Sequence, residues 1–147
     1  MKAREWLKRG EQAADPIDTF TNVWRGFNNL YYRVQGDSEK AQIKRYLQIA
    51  IDTIAATEVL NSHSTEIAYL LSQPVIDMRG TGRDTSQHIA GFNSTSDSVA
   101  KLQELFMIVY QIRCNLEHGQ KSPTRDRDVQ LCASAAPLVI DVVKRDT

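Results

Sequence analysis

The sequence predicts an all-α protein, an antiparallel four-helix-type bundle with a short extra helix and one long loop. Two patterns lead to this prediction. Apolar residues recur at three- and four-residue steps in four long segments, as in α-helices that bury one face. No segment shows the apolar–polar alternation of a half-buried strand. The length of 147 residues, of which 41% are hydrophobic, fits a single domain over residues 1–147 with a substantial core.

The first long helix is predicted to begin at Asp15 and Pro16. Residues 1–14 before it form an N-terminal extension or a short helix. Asp15 is a good N-cap, and proline is favoured at the first helical position because its missing N–H is not needed there. The apolar stripe of this helix consists of Ile17, Phe20, Trp24, Phe27, Tyr31 and Val34.

The second long helix is expected after Gly36, with Asp37 or Ser38 as its cap. Its stripe contains Ile43, Leu47, Ala50, Ile51, Ile54 and Ala55 and continues towards Leu60. A shorter helix over about residues 64–71 is expected to stop before Pro74, because the residue before a proline disfavours the helical conformation.

Residues 72–95 show the weakest pattern in the chain. They contain Gly80, Gly82 and Gly91 and have little periodicity. A structureless loop above ~15 residues is unusual inside a domain, so the segment is either a mobile lid over the site or contains a short helix around residues 86–90. We favour the flexible loop.

Two further long helices complete the prediction. Ser94 or Ser96 caps the third, whose stripe is Val99, Leu102, Phe106, Val109 and Ile112. Gly119 and Pro123 bound the turn that follows. The last helix runs over about residues 127–144, and Pro137 is expected to kink it. Its inward residues are Val129, Cys132, Ala136, Val139 and Val143.

Composition narrows the class of function. The 18 basic and 18 acidic residues give a formal net charge of zero, which argues against a protein that coats duplex nucleic acid. No apolar run approaches a membrane span, and the basic N-terminus lacks the apolar stretch of a secretory signal. Cys114 and Cys132 form neither a disulfide framework nor a zinc-ligand pattern. We therefore expect a cytoplasmic protein with no membrane partner, no metal and no cofactor.

The most informative segment spans residues 110–123, with the sequence YQIRCNLEHGQKSP. Arg113 lies four residues after Val109, beside the inward stripe, and a buried unpaired charge is costly. Arg113 should therefore face a cleft, a carboxylate or an anionic ligand. His118 lies about 140° further round an ideal helix, so the two side chains converge only if the helix ends near Glu117. Gly119 provides a reason for it to end there.

The same Arg-x4-His spacing occurs a second time, at Arg83 and His88. No apolar helical pattern leads into this second copy, which falls within the glycine-containing segment. We therefore interpret it as accidental.

A long amphipathic helix that ends in residues 112–121 (IRCNLEHGQK), followed by another long helix, resembles the HEPN superfamily of RNA-acting helical domains. Residues 23–31 (VWRGFNNLY) also resemble HEPN first helices, with bulky aromatic residues around a Phe-Asn pair. The resemblance covers about residues 15–146, and its specific part is ten residues long. Cys114 stands where HEPN enzymes often carry a polar residue. Gln120 stands where some HEPN toxins carry a tyrosine.

The resemblance implies a metal-independent endoribonuclease that cleaves single-stranded RNA by attack of the 2′-hydroxyl. It implies a homodimer in which the motifs of two subunits meet, with Arg113 and His118 as catalytic residues. Asn115 and Lys121 are candidates for substrate positioning. The resemblance also implies a toxin or a defence effector, whose partner would be a cognate antitoxin or a neighbouring defence protein.

Other interpretations of the same residues stay open. Arg113 can pair with Glu117 at the i, i+4 spacing, and a histidine at a helix C-terminus is favoured by the helix dipole. The chain is then a catalytically inactive HEPN-like module that binds RNA, a nucleotide or a protein partner, or a purely structural bundle.

Overall fold

The computed structural model describes residues 2–117 and 126–146. Eight helices contain 77% of these residues, and they confirm the predicted all-α class. Their bounds are α1 Lys2–Glu11, α2 Pro16–Tyr31, α3 Glu39–Ala50, α4 Thr53–Ser62, α5 Ser64–Leu71, α6 Ser86–Ser94, α7 Ser98–Glu117 and α8 Asp126–Asp146. No helix in these two ranges is both long enough and apolar enough to cross a membrane.

A side-chain cap starts α2, and a glycine allows α1 to pack closely against it. Residues 2–11 form a helix, one of the two possibilities for the N-terminal segment. Asp15 caps α2, and its side chain accepts a hydrogen bond from the amide of Asp18 at 3.0 Å. The two helices approach closely at glycine: a Cβ on Gly26 would lie 2.8 Å from the carbonyl oxygen of Ala3. Any side chain at position 26 would therefore push α1 away.

The prediction of one long helix from residue 39 towards Leu60 is wrong, because the chain breaks into α3 and α4. Ile51 has extended backbone angles, and the side chain of Asp52 accepts a hydrogen bond from the Ala55 amide at 2.8 Å. This N-cap starts a new helix with a different buried face. Ile51 is buried and Ile54 is 73% exposed, so the two do not share a stripe.

The prediction of a loop through residue 95 is wrong from Ser86 onward, where α6 begins. The alternative of a short helix in this segment is confirmed. Helix α6 has no fully buried residue, and only Ile89 and Phe92 pack against the core, so its amphipathic pattern is weak. The preceding residues, which we call the 75–85 loop, are closed by an isolated bridge between Ile76 and Asp84.

Helix α7 lies at the centre of the described part of the chain: it packs against α3–α6 and α8, and its Phe106 ring lies against Phe27 of α2, with ring centroids 5.2 Å apart. The residue before its first turn is Asp97, and not Ser94 or Ser96 as predicted. The Asp97 carboxylate accepts a hydrogen bond from the Val99 amide at 3.1 Å. The predicted stripe is buried, together with Leu105, Met107 and Ile108. Helix α8 contains Pro137 within its length. The arrangement buries most of α7 and leaves its C-terminal half open on one side.

Candidate functional site

A polar cavity of about 740 Å³ lies along the C-terminal half of α7, and we call it the α7 cavity. Its other walls are the first two residues of α3, the 75–85 loop and the first turn of α6. The basic side chains that line it are Lys40, Arg79, Arg83 and Arg113, and the acidic ones are Glu39, Asp77, Asp84 and Glu117. Because the charges balance, the ability to bind an anion depends on which cations are already paired.

Arg113 borders this cavity with its side chain 23% exposed. Its two terminal nitrogens lie 3.2 Å from Glu39 Oε1 and 2.9 Å from Glu117 Oε2. Burial lowers the pKa of Arg113, but the charges of Glu39 and Glu117 outweigh this effect and raise the pKa above its ordinary value. The Arg113–Glu117 pair considered as an alternative is therefore present, with a second carboxylate that the sequence did not indicate.

Glu39 organises this end of the cavity. Besides Arg113, it accepts hydrogen bonds from the hydroxyls of Tyr31 and of Tyr110, the latter at 3.1 Å. Burial and the contact with Glu39 raise the pKa of Tyr31, so this phenol stays a neutral donor. Burial also raises the pKa of Tyr110. Sequence reasoning missed Glu39, because it lies 74 residues from Arg113 and carries no local signal.

Asn115 is buried and supports the cavity wall. Its side-chain nitrogen donates to the Ile76 carbonyl at 2.9 Å, and its oxygen accepts from the Met78 amide at 3.2 Å. Gln111 donates to the same oxygen at 3.0 Å. These contacts fix the 75–85 loop against α7. The expectation that Asn115 positions substrate stays a prediction.

His118 and Lys121 lie outside the described residues. In the sequence, His118 directly follows Glu117, the last residue of α7 and part of the cavity lining. Cys114 also lines the cavity and is half-buried.

The second Arg-x4-His copy, which the sequence led us to consider accidental, lines the same cavity. His88 lies in the first turn of α6, and its Nδ1 is 3.0 Å from Glu104 Oε2. Arg83 is exposed on the 75–85 loop. Among the hydrogen bonds and ion pairs of the described residues, none involves the guanidinium of Arg83. The same holds for the ammonium of Lys40.

Arg79, the remaining basic residue of the lining, is held by Asp77. Two of its nitrogens donate to the Asp77 carboxylate at 3.0 and 2.8 Å. Hydrogen bonds from the Arg79 side chain and amide lower the pKa of Asp77 below its ordinary value of 3.8.

Over residues 2–117 and 126–146, no group of three or more His, Cys, Asp or Glu side chains is arranged to hold a metal ion. Comparisons of this chain with protein-family models, curated proteins and solved structures found no match.

Proposed function

We propose that this protein is a metal-independent endoribonuclease that cleaves single-stranded RNA at the Arg113 end of the α7 cavity. The observation that carries the proposal is the position of Arg113: a half-buried arginine at the edge of a polar cavity of about 740 Å³. It lies at the end of a buried helix, within the segment that resembles the HEPN motif.

Cleavage of RNA by attack of its 2′-hydroxyl involves three events that the protein must assist. A proton leaves the 2′-hydroxyl as this oxygen attacks phosphorus, negative charge develops on the phosphoryl oxygens, and the departing 5′-oxygen gains a proton. His118 exchanges protons, because histidine titrates near neutral pH. Arg113 presents a planar fork of donors that matches two phosphoryl oxygens. Asn115 and Lys121 are assigned to positioning the substrate.

The two carboxylates of Arg113 have different roles in this proposal. Glu117 is 55% exposed, and an exposed ion pair is worth only ~0–1 kcal/mol, so a phosphate can displace it. Glu39 is 29% exposed and is also bound by two tyrosines, so it stays in place and orients the guanidinium. Arg113 has five N–H donors, of which Glu39 and Glu117 engage only part.

The HEPN resemblance extends the proposal to a two-fold homodimer in which Arg113 and His118 of each subunit lie near the interface. Light scattering should then report about twice the chain mass of 16.6 kDa. A strict monomer at micromolar concentration, with and without RNA, excludes the composite cleft. The biological setting we propose is that of a toxin or defence effector with a cognate antitoxin or a neighbouring defence protein.

The decisive test is cleavage of single-stranded RNA in excess EDTA. The products should carry 2′,3′-cyclic phosphate and 5′-hydroxyl ends, because the attacking group belongs to the RNA. His118→Ala should lower the rate by ~10²–10⁴-fold, the usual effect of removing a proton-transfer group. Arg113→Ala should also be inactive, and Arg113→Lys should restore little activity because the fork is lost.

Arg145→Ala is the matched control for Arg113. Arg145 also contacts two carboxylates, Glu58 at 2.8 Å and Asp141 at 2.9 Å, but it does not line the α7 cavity. Its variant should cut RNA at the wild-type rate once corrected for the folded fraction. Equal losses in the Arg113 and Arg145 variants would assign Arg113 a structural role only.

The second candidate is the catalytically inactive module, and one observation favours it. The two carboxylates at Arg113 already satisfy its charge without a ligand. Wild-type protein that binds RNA of varied sequence and never cuts it would establish this alternative.

A further inference from the structure

The α7 cavity has a second end, away from Arg113. Glu104, which holds His88, precedes Arg113 by nine residues on the same helix. At 1.5 Å per residue the two positions are ~13.5 Å apart along the helix axis. The volume of about 740 Å³ lies in the upper part of the range for ligand cavities. The cavity therefore suits an extended ligand that contacts both ends.

His88 presents a hydrogen-bond acceptor at this second end. A carboxylate can only accept, so the proton of the neutral imidazole is assigned to Nδ1, which donates to Glu104. The other ring nitrogen, Nε2, then carries a free lone pair. Within the described ranges, no hydrogen bond involves Nε2 of His88, a residue that lines the cavity.

Arg83, five residues before His88, adds an unpaired cation to the lining of the same cavity. The loop that carries it is closed by a hydrogen bond from the Asp77 amide to the Arg83 carbonyl at 2.9 Å. The carboxylate of the adjacent Asp84 accepts hydrogen bonds from the amide and the hydroxyl of Ser86. Arg79 and Arg113 are bound to carboxylates, whereas the Arg83 guanidinium has no such contact among the described residues.

We propose that His88 and Arg83 form a subsite in this cavity for another nucleotide of a single-stranded RNA. Arg83 binds the phosphate, and Nε2 of His88 accepts a hydrogen bond from the ribose 2′-hydroxyl. The 2′-hydroxyl is the group by which a protein distinguishes RNA from DNA, so His88 makes the cavity select RNA. The ligand class rests on the proposed function, and the second Arg-x4-His copy serves binding, with no role in catalysis.

The test measures binding in the His118→Ala background, in which RNA is not expected to be cut. Fluorescence anisotropy compares a hexanucleotide of A and C as RNA and as DNA. The RNA should bind more tightly. Adding His88→Phe, which keeps an aromatic ring but removes the acceptor, should weaken RNA binding by ~2–12-fold, the equivalent of one hydrogen bond. DNA binding should not change.

His63→Phe is the matched control. His63 is 17% exposed, as His88 is, and its ring also contacts a carboxylate, that of Asp141 at 2.8 Å. It does not line the α7 cavity, so its variant should keep the preference for RNA. A ligand-side measurement gives the same information without changing the protein further: a 2′-fluoro hexanucleotide cannot donate, and it should bind as weakly as RNA binds to the His88→Phe variant.

Arg83→Ala should weaken RNA and DNA equally, because both carry the phosphate. Loss of one phosphate contact should reduce the slope of log K against log salt concentration by ~0.7, the single-strand value. The control is Arg45→Ala, since Arg45 is exposed on α3 and lies outside the cavity lining. The slope should not change in this variant.

The possible failures are distinct. Equal affinity for RNA and DNA, an unchanged RNA preference in the His88→Phe variant, or an unchanged salt slope for Arg83→Ala overturns the subsite. Wild-type protein that cuts RNA in EDTA but shows any of these results keeps the proposed function and loses only the subsite. A preference for RNA that depends on His88, in a protein that never cuts RNA, supports the subsite and overturns the nuclease.

Discussion

Replacing Asn115 with alanine should destabilise the protein through the 75–85 loop. The variant loses the bonds to the Ile76 carbonyl and the Met78 amide, and the contact with Gln111. A net hydrogen bond contributes ~0.5–1.5 kcal/mol, so three of them amount to about 1.5–4.5 kcal/mol of the free energy of unfolding. At ~2–4 °C per kcal/mol for a chain of this size, the melting temperature should fall by about 3–18 °C.

Thermal unfolding followed by circular dichroism measures this change, and hydrogen exchange locates it. The amide of Met78 should exchange faster in the variant, since its acceptor is gone. Asn61→Ala is the control: Asn61 is exposed on α4, and its replacement should change stability by less than ~0.5 kcal/mol. An Asn115→Ala protein that melts like the wild type, with an unchanged Met78 amide, refutes the anchoring role.

Three further predictions concern the charges and packing of the cavity. Glu117→Gln removes the exposed carboxylate that a phosphate must displace from Arg113, so RNA affinity measured by anisotropy should rise by up to ~5-fold; unchanged binding would show that Glu117 does not compete with the phosphate. The pKa of Asp77 is lowered in the folded protein. The stability that its carboxylate contributes is therefore complete above pH 3.8, the ordinary pKa of the group, and is lost as the pH falls further. In urea denaturation, Asp77→Asn should therefore be less stable than wild type at pH 7, and the difference should shrink at pH 3; a difference independent of pH contradicts the linkage. A Cβ on Gly91 would lie 2.6 Å from Glu104 Oε2, so Gly91→Ala should displace this carboxylate and reduce the preference for RNA over DNA, with the helical spectrum intact.

Local chemistry accounts for the parts of the fold that the sequence predicted. The cap at Asp15 and the stop before Pro74 depend on groups within a few residues of one another, so they are visible in the sequence. The break at Asp52 was missed because Ile51 and Ile54 are both apolar, and an apolar residue on the surface looks the same in sequence as a buried one. Helix α6 was predicted only as the alternative to a loop, because it packs through only Ile89 and Phe92 and its pattern is weak.

The candidate site was less predictable, because its contacts are long-range. Arg113 was expected at a cleft or a carboxylate, and the structure places both beside it. Nothing local to Glu39 indicates that it lies beside Arg113. The second Arg-x4-His copy was set aside for lack of a helix, and only the packing of α6 on α7 brings His88 to Glu104.

The central position of α7 has a consequence for how such a cavity diversifies between related proteins. One wall of the cavity belongs to the helix that fills the core, where most substitutions cost stability and few are tolerated. The opposite wall belongs to the 75–85 loop and to α6, which has no fully buried residue. Loops and lightly packed elements accept substitutions and insertions at low cost. Natural variation and directed evolution should therefore alter ligand preference mainly from the loop and α6, around residues such as Arg83, while the face of α7 changes slowly.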